Sequence, residues 1–124
     1  MKNQKNIFFI VIGIVVLGII AVVFFQTKGK NIPSTKYDTF AQCLASKNLT
    51  MYGASWCTHC KAQKERFGDS FKYVPYVECT EKAKECLDKG VEGYPTWIDV
   101  KGVKYVGEQE LTKLAEITGC VLPQ

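Results

Sequence analysis

From Ile7 to Phe25 the chain runs through nineteen consecutive uncharged residues, all apolar except Gly13 and Gly18. A helix rises 1.5 Å per residue, so this stretch reaches about 28 Å, close to the ~30 Å hydrocarbon core of a bilayer. No polar face interrupts it, which argues against a helix packed inside a soluble core. A cleaved signal peptide would carry a shorter apolar region with small residues at the cut. Here the run closes on Val22, Val23, Phe24 and Phe25. These features predict a retained transmembrane anchor over residues 7–25, preceded by a short tail at 1–6. Residues 26–35 are polar and hold Gly29, Pro33 and Ser34, as a linker would. That leaves a domain over residues 36–124.

The net charge of +4 sits beside the apolar run. Lys2, Lys5, Lys28 and Lys30 account for all of it; from residue 31 onward, eleven Lys and one Arg balance twelve Asp and Glu. Basic character is thus confined to where lipid headgroups would lie, and the electrostatic case for nucleic-acid binding is removed. Lysines flank the span on both sides, so charge gives no clear orientation. The cysteines do. All six lie after the span, an even number in about ninety residues, which points to an oxidising compartment. The expected arrangement is a single-pass protein of the cell membrane, N-terminus cytoplasmic and domain extracytoplasmic.

Within the domain, Tyr37, Phe40, Ala41 and Leu44 recur at helical spacing, and the helix should end near Asn48. Leu49 to Tyr52 reads as a strand closed by Gly53. A second helix is expected from Cys57 to Phe67. Tyr73 to Glu78 reads as a strand near an edge, because Pro75 cannot donate to a ladder. Glu81 to Lys89 reads as a charged helix stopped by Gly90. Thr96 to Val100 and Val103 to Val106 form a hairpin turning at Lys101-Gly102. The last helix is expected over Glu108–Thr118, ended by Gly119. Strands alternating with helices, then a hairpin and a helix, predict an α/β fold: a mixed sheet flanked by helices.

The chemistry concentrates in Trp56-Cys57-Thr58-His59-Cys60, which follows a predicted strand and opens a predicted helix. A cysteine at a helix start meets unpaired N–H groups and the positive end of the dipole, both of which favour thiolate. Cys60, about one turn on, is placed to attack a mixed disulfide at Cys57. His59, the single histidine of the chain, can add a donor or positive charge. A zinc half-site is the rival reading, but Cys79 and Cys86 lack knuckle spacing, so no metal or cofactor is expected. A second motif, Gly93-Tyr94-Pro95-Thr96, precedes a strand. If the proline is cis it makes a fixed turn, and Tyr94 and Thr96 could present backbone groups to an extended peptide.

W-C-x-x-C followed by G-x-P-T resembles the thioredoxin superfamily. The Cys-Thr-His-Cys centre is similar to that of DsbA-like thiol oxidases. MYGASWCTHC, VPYVEC and GYPTW resemble more closely the thioredoxin-like domain fused to bacterial vitamin K epoxide reductase homologues, over about residues 37–119. The resemblance implies a thioredoxin-like fold, with Cys57 as nucleophile, Cys60 as resolving cysteine, Pro95 as the cis-proline against the pair, and Trp56 as the preceding aromatic. With Thr58, Tyr94 and Thr96, Trp56 would border the substrate. It implies an oxidoreductase that oxidises thiols of exported proteins and is recycled by a separate membrane partner, vitamin K epoxide reductase-like or similar, because one span cannot make a quinone-binding bundle. Reduction or isomerisation of disulfides, and non-catalytic peptide binding, are the alternatives. Two departures bear on direction. Thr58 stands where many oxidases have proline. Met51 stands where many thioredoxin reductants carry a buried carboxylate, a mild lean towards oxidation.

Four cysteines remain, with three possible pairings. Cys79–Cys86 and Cys43–Cys120 are favoured as structural disulfides, one clipping a strand to the next helix, the other tying the first helix to the chain's end; a second redox pair at Cys79–Cys86 that relays electrons is the alternative. In the chain-entropy model such loops contribute about 2.5 and 4.5 kcal/mol.

Overall fold

A computed structural model describes residues 2–26 and 35–124, with side chains from 3–21 and 35–124. The expected linker therefore lies almost wholly outside the described residues, as do the side chains of Val22 to Phe25. The chain divides into two units, residues 1–33 and 34–124.

In the first unit, helix α1 spans Lys2–Gln26 and so extends past both ends of the predicted span. Within it, Asn3–Ala21 is long and apolar enough to cross a membrane, with a mean hydropathy of 2.2 and none of the stretch buried.

The second unit contains α2 (Asp38–Ser46), β1 (Thr50–Gly53), α3 (Thr58–Phe67), a 3-10 helix (Gly68–Tyr73), β2 (Tyr76–Glu78), α4 (Ala83–Asp88), β3 (Thr96–Ile98), β4 (Lys104–Val106) and α5 (Leu111–Thr118). The sheet order is β2-β1-β3-β4. β1 pairs parallel to β2 and antiparallel to β3, and β4 continues antiparallel. The expected mixed sheet flanked by helices is present, and β2, the strand after Pro75, lies at an edge.

Side chains alternate across a strand, so the sheet separates two cores. Met51 and Trp97 join Phe40, Leu44, Phe67 and Leu114 from the helices; Tyr52, Val77 and Ile98 join Cys79, Cys86 and Val91. Phe67 is a hub of the larger cluster: its ring stacks on Phe40 at 6.1 Å between centroids and meets Phe71 edge-on at 5.9 Å.

Two expected elements begin three residues later in the chain than the residue pattern suggested. Residues 73–75 do not join β2, because the 3-10 helix carries the chain through Tyr73 and Pro75 then offers only its carbonyl, to the Met51 N–H at 2.9 Å. The last helix starts at Leu111 rather than Glu108, because residues 108–110 are held by partners on α3. Gln63 Oε1 accepts from the Gln109 N–H at 2.6 Å, and Gln63 Nε2 donates to the Gln109 carbonyl at 3.1 Å. The hairpin turn is organised by Asp99, whose Oδ1 accepts from the N–H groups of Lys101 and Val103.

Candidate active site

Cys57 ends the loop after β1 and caps α3. Its backbone is extended, and its Sγ accepts a hydrogen bond from the Cys60 N–H at 3.1 Å. Cys57 and Cys60 are both unpaired and both buried, Cys60 completely. Burial, then hydrogen bonding to Cys57, pushes the Cys60 thiol up to about 12. A group in that state stays protonated at neutral pH.

Gly53 makes room for this arrangement. A β-carbon there would sit 2.9 Å from Cys60 Sγ and 3.1 Å from Tyr76 Cε2, so only hydrogen fits. The Gly53 carbonyl accepts the Cys79 N–H at 2.8 Å, which fastens the end of β1 to the residue after β2.

The Tyr94-Pro95 bond is cis, and Pro95 is fully buried. Trp56, 68% exposed, meets Tyr94 edge-on with centroids 5.9 Å apart. These two aromatics line an open groove of about 510 Å³ together with Cys57, Thr58, His59, Glu92 and Gly93. The structure thus gathers Trp56, Cys57, Thr58, His59 and Tyr94 around one depression. Thr96 is placed differently. It lies within β3 between Tyr52 and Val106, is buried, and its Oγ1 donates to the Gly93 carbonyl at 2.7 Å. It braces the turn from behind and does not line the groove.

His59 points to a partner that sequence reasoning did not supply. Its Nδ1 lies 2.6 Å from Glu108 Oε1. Arg66 holds Glu108 from the other side at 3.3 Å and reaches Glu110 at 2.6 Å. The His59 hydrogen bond first, then that of Arg66, holds the Glu108 carboxyl below the usual carboxylate range. Gln63 was also missed. It is fully buried and accepts from Trp97 Nε1 at 3.3 Å as well as clamping Gln109. A polar residue on a helix with charged neighbours reads as solvated, and nothing local reveals partners forty-six residues away.

Beneath the pair, Tyr76 donates to Glu78 Oε2 at 2.7 Å. Glu78 Oε1 accepts from the Ser55 N–H at 3.0 Å and from Thr80 Oγ1 at 2.7 Å. Burial raises the Glu78 pKa, but hydrogen bonds from Thr80, Tyr76 and Ser55 outweigh it and hold the group below its ordinary value.

The remaining cysteines are bonded. Cys43 joins Cys120 with a Cα–Cα distance of 5.9 Å, and Cys79 joins Cys86 at 5.8 Å. Cys43 and Cys120 pack at the larger core, while Cys79 and Cys86 belong to the smaller one.

Residues 31–118 match the family model described as Thioredoxin. The chain is 40% identical over 116 residues to the thiol-disulfide oxidoreductase LTO1 of Arabidopsis thaliana, covering 86% of this chain and 31% of that protein. It is 35% identical over 80 residues to a protein disulfide-isomerase of Arthroderma benhamiae, covering 57% of this chain and 15% of that protein. It is 30% identical over 118 residues to a protein disulfide-isomerase of Humicola insolens, covering 87% and 23%. The chain therefore spans less than a third of the length of these curated relatives.

Proposed function

The chain belongs to the thioredoxin family, and from that premise we propose that it is a membrane-anchored thiol–disulfide oxidoreductase acting through Cys57 and Cys60. One observation carries the proposal: Cys57 caps α3 with its sulfur on the Cys60 N–H, at the edge of a groove walled by Trp56 and Tyr94 beside the cis-proline. Thiol–disulfide exchange needs an accessible attacking sulfur and a second one close behind it. The names of the relatives support the same reaction class.

In the oxidising direction, a substrate thiolate attacks Cys57 Sγ of the Cys57–Cys60 disulfide, and Cys60 leaves as thiolate. A second substrate thiol then displaces Cys57, so two substrate thiols become a disulfide and the pair ends as a dithiol. A membrane oxidase would return it to the disulfide. Exported proteins are the proposed substrates, α1 the anchor, and the extracytoplasmic side the location, supported by two disulfides in the domain. Trp56, Thr58 and Tyr94 are the proposed substrate contacts, Pro95 the turn that faces the pair, and His59 a modulator through Glu108. The apolar Met51 beneath the pair supports oxidation over reduction.

A Cys60→Ala variant tests the reaction. It should accumulate mixed disulfides at Cys57, identifiable by mass spectrometry after thiol trapping. An empty trap with a folded variant would favour a static peptide-binding module. The potential of the pair separates direction: a value near or above about −150 mV marks an oxidant, and one near −270 mV a reductant.

A further inference from the structure

Cys60 must release a proton before its sulfur can attack a mixed disulfide at Cys57, and it must regain one when that disulfide opens. It is fully buried, and Met51, in the strand below, offers no acid or base. The neighbouring strand does. Tyr76 stands in register with Met51, so their side chains share one face of the sheet. Cys60 Sγ and Tyr76 Oη lie 2.9 and 3.3 Å from one common point, the place a β-carbon on Gly53 would take. Because Gly53 has no side chain, the thiol and the hydroxyl both close in on that point.

The ring of Tyr76 is held in place on its other sides. Lys64 Nζ sits 3.6 Å from its centroid, and Phe71 meets it edge-on at 5.8 Å. Its hydroxyl is aimed by Glu78, which is itself fixed by Ser55 and Thr80. The titratable groups facing Tyr76 are Cys57, Cys60 and Lys64 from α3 and its cap, and Glu78 from its own strand.

We propose that the Tyr76 hydroxyl, oriented by Glu78, carries the proton to and from Cys60, an inference that rests on the redox reading above. In the resolving step Cys60 S–H passes its proton to Tyr76 Oη while Tyr76 passes its own to Glu78 Oε2. The Cys60 electron pair then forms the bond to Cys57 Sγ, and the bond between Cys57 and the partner sulfur breaks. The partner leaves as a thiolate, reduced, while the Cys57–Cys60 pair becomes oxidised. Glu78, half-buried, returns its proton to solvent. In the opposite direction each transfer reverses, and the Cys60 leaving group is protonated as it forms. Burial, then the Glu78 hydrogen bond, holds the Tyr76 phenol above its usual value, so it keeps its proton at rest and acts by exchange. Tyr76 relays the proton, and Glu78 both orients the hydroxyl and takes up the proton that Tyr76 passes on.

Rapid mixing of the reduced, full-length chain in detergent with oxidised glutathione resolves the two steps. Capture at Cys57 grows with glutathione concentration, whereas release of the second glutathione reaches a plateau set by Cys60. Tyr76→Phe keeps the ring and removes the hydroxyl. It should leave capture unchanged, slow the plateau rate about 100-fold at neutral pH, and make that rate climb in proportion to hydroxide. Glu78→Gln should move both quantities in the same direction by less. Tyr76→Phe that resolves at the wild-type rate with the wild-type pH profile overturns the proposal. If that variant does not fold, wild-type resolution by Glu78→Gln overturns it instead. A wild-type chain that captures glutathione and never releases it sinks the oxidoreductase reading itself.

Discussion

His59 Nδ1 and Glu108 Oε1 lie 2.6 Å apart, joining the first turn of α3 to the segment that leads into α5. The pair straddles the rim of the groove and is far more exposed on the histidine side, at 76% against 24%. Exposed ion pairs contribute little to stability. Glu108→Ala should therefore leave the melting temperature nearly unchanged. It removes the anion that occupies His59, so alkylation of Cys57 by iodoacetamide should become several-fold faster. An unchanged rate would separate His59 from the chemistry.

Cys60 supplies a prediction with a definite sign. Burial lifts its pKa from an ordinary 9.0 to about 12. Alkylation of the reduced native protein at neutral pH should then give a single adduct, on Cys57, by mass spectrometry. Stability follows the same logic. The unfolded chain loses the Cys60 proton before the folded one does, so this contribution is intact below pH 9.0 and disappears as pH rises towards about 12. Chemical denaturation should show a larger alkaline loss in the reduced protein than in the oxidised one.

Two glycines near the pair should respond in opposite ways. A β-carbon on Gly53 would meet Cys60 Sγ at 2.9 Å and Tyr76 at 3.1 Å, whereas one on Gly93 would meet only Val106 Cγ1 at 3.8 Å. Overpacking of a filled interior costs about 1–3 kcal/mol. Gly53→Ala should lose that much in urea titrations and Gly93→Ala should lose almost nothing. Equal losses would contradict the cradle assigned to Gly53.

Gln63 tests the buried clamp. Gln63→Leu keeps the approximate volume but leaves the Gln109 N–H and Trp97 Nε1 without their acceptor. Each buried unsatisfied group costs about 1–3 kcal/mol. The variant should fall in denaturation midpoint with an unchanged slope, and Trp97 fluorescence should shift as its indole environment changes.

Much of this arrangement was legible in the residues because its signals are local. Helices α2 and α5 follow apolar periodicity, α1 is an unbroken apolar run, and Gly90 and Gly119 stop helices where a positive φ is needed, at 65° and 74°. Cys57 and Cys60 announce themselves by spacing, and Pro95 by its neighbours. What stayed hidden depends on contacts between distant residues. Nothing within residues 57–66 shows that His59 and Arg66 share Glu108, and nothing in Tyr73-Val74-Pro75 shows that a 3-10 turn delays the strand. That the Thr96 side chain is buried within β3 depends on the sheet register, which is a tertiary property.

Linking Cys43 to Cys120 places the two sulfurs 77 residues apart in the chain. A ribosome delivers them in that order, so Cys43 emerges long before its mate. During that interval it meets Cys57, Cys60, Cys79 and Cys86 first, among them the residues best suited to exchange. A mildly reducing or isomerase-containing medium, in which early sulfur pairings stay reversible, should therefore raise the yield of correctly bonded material.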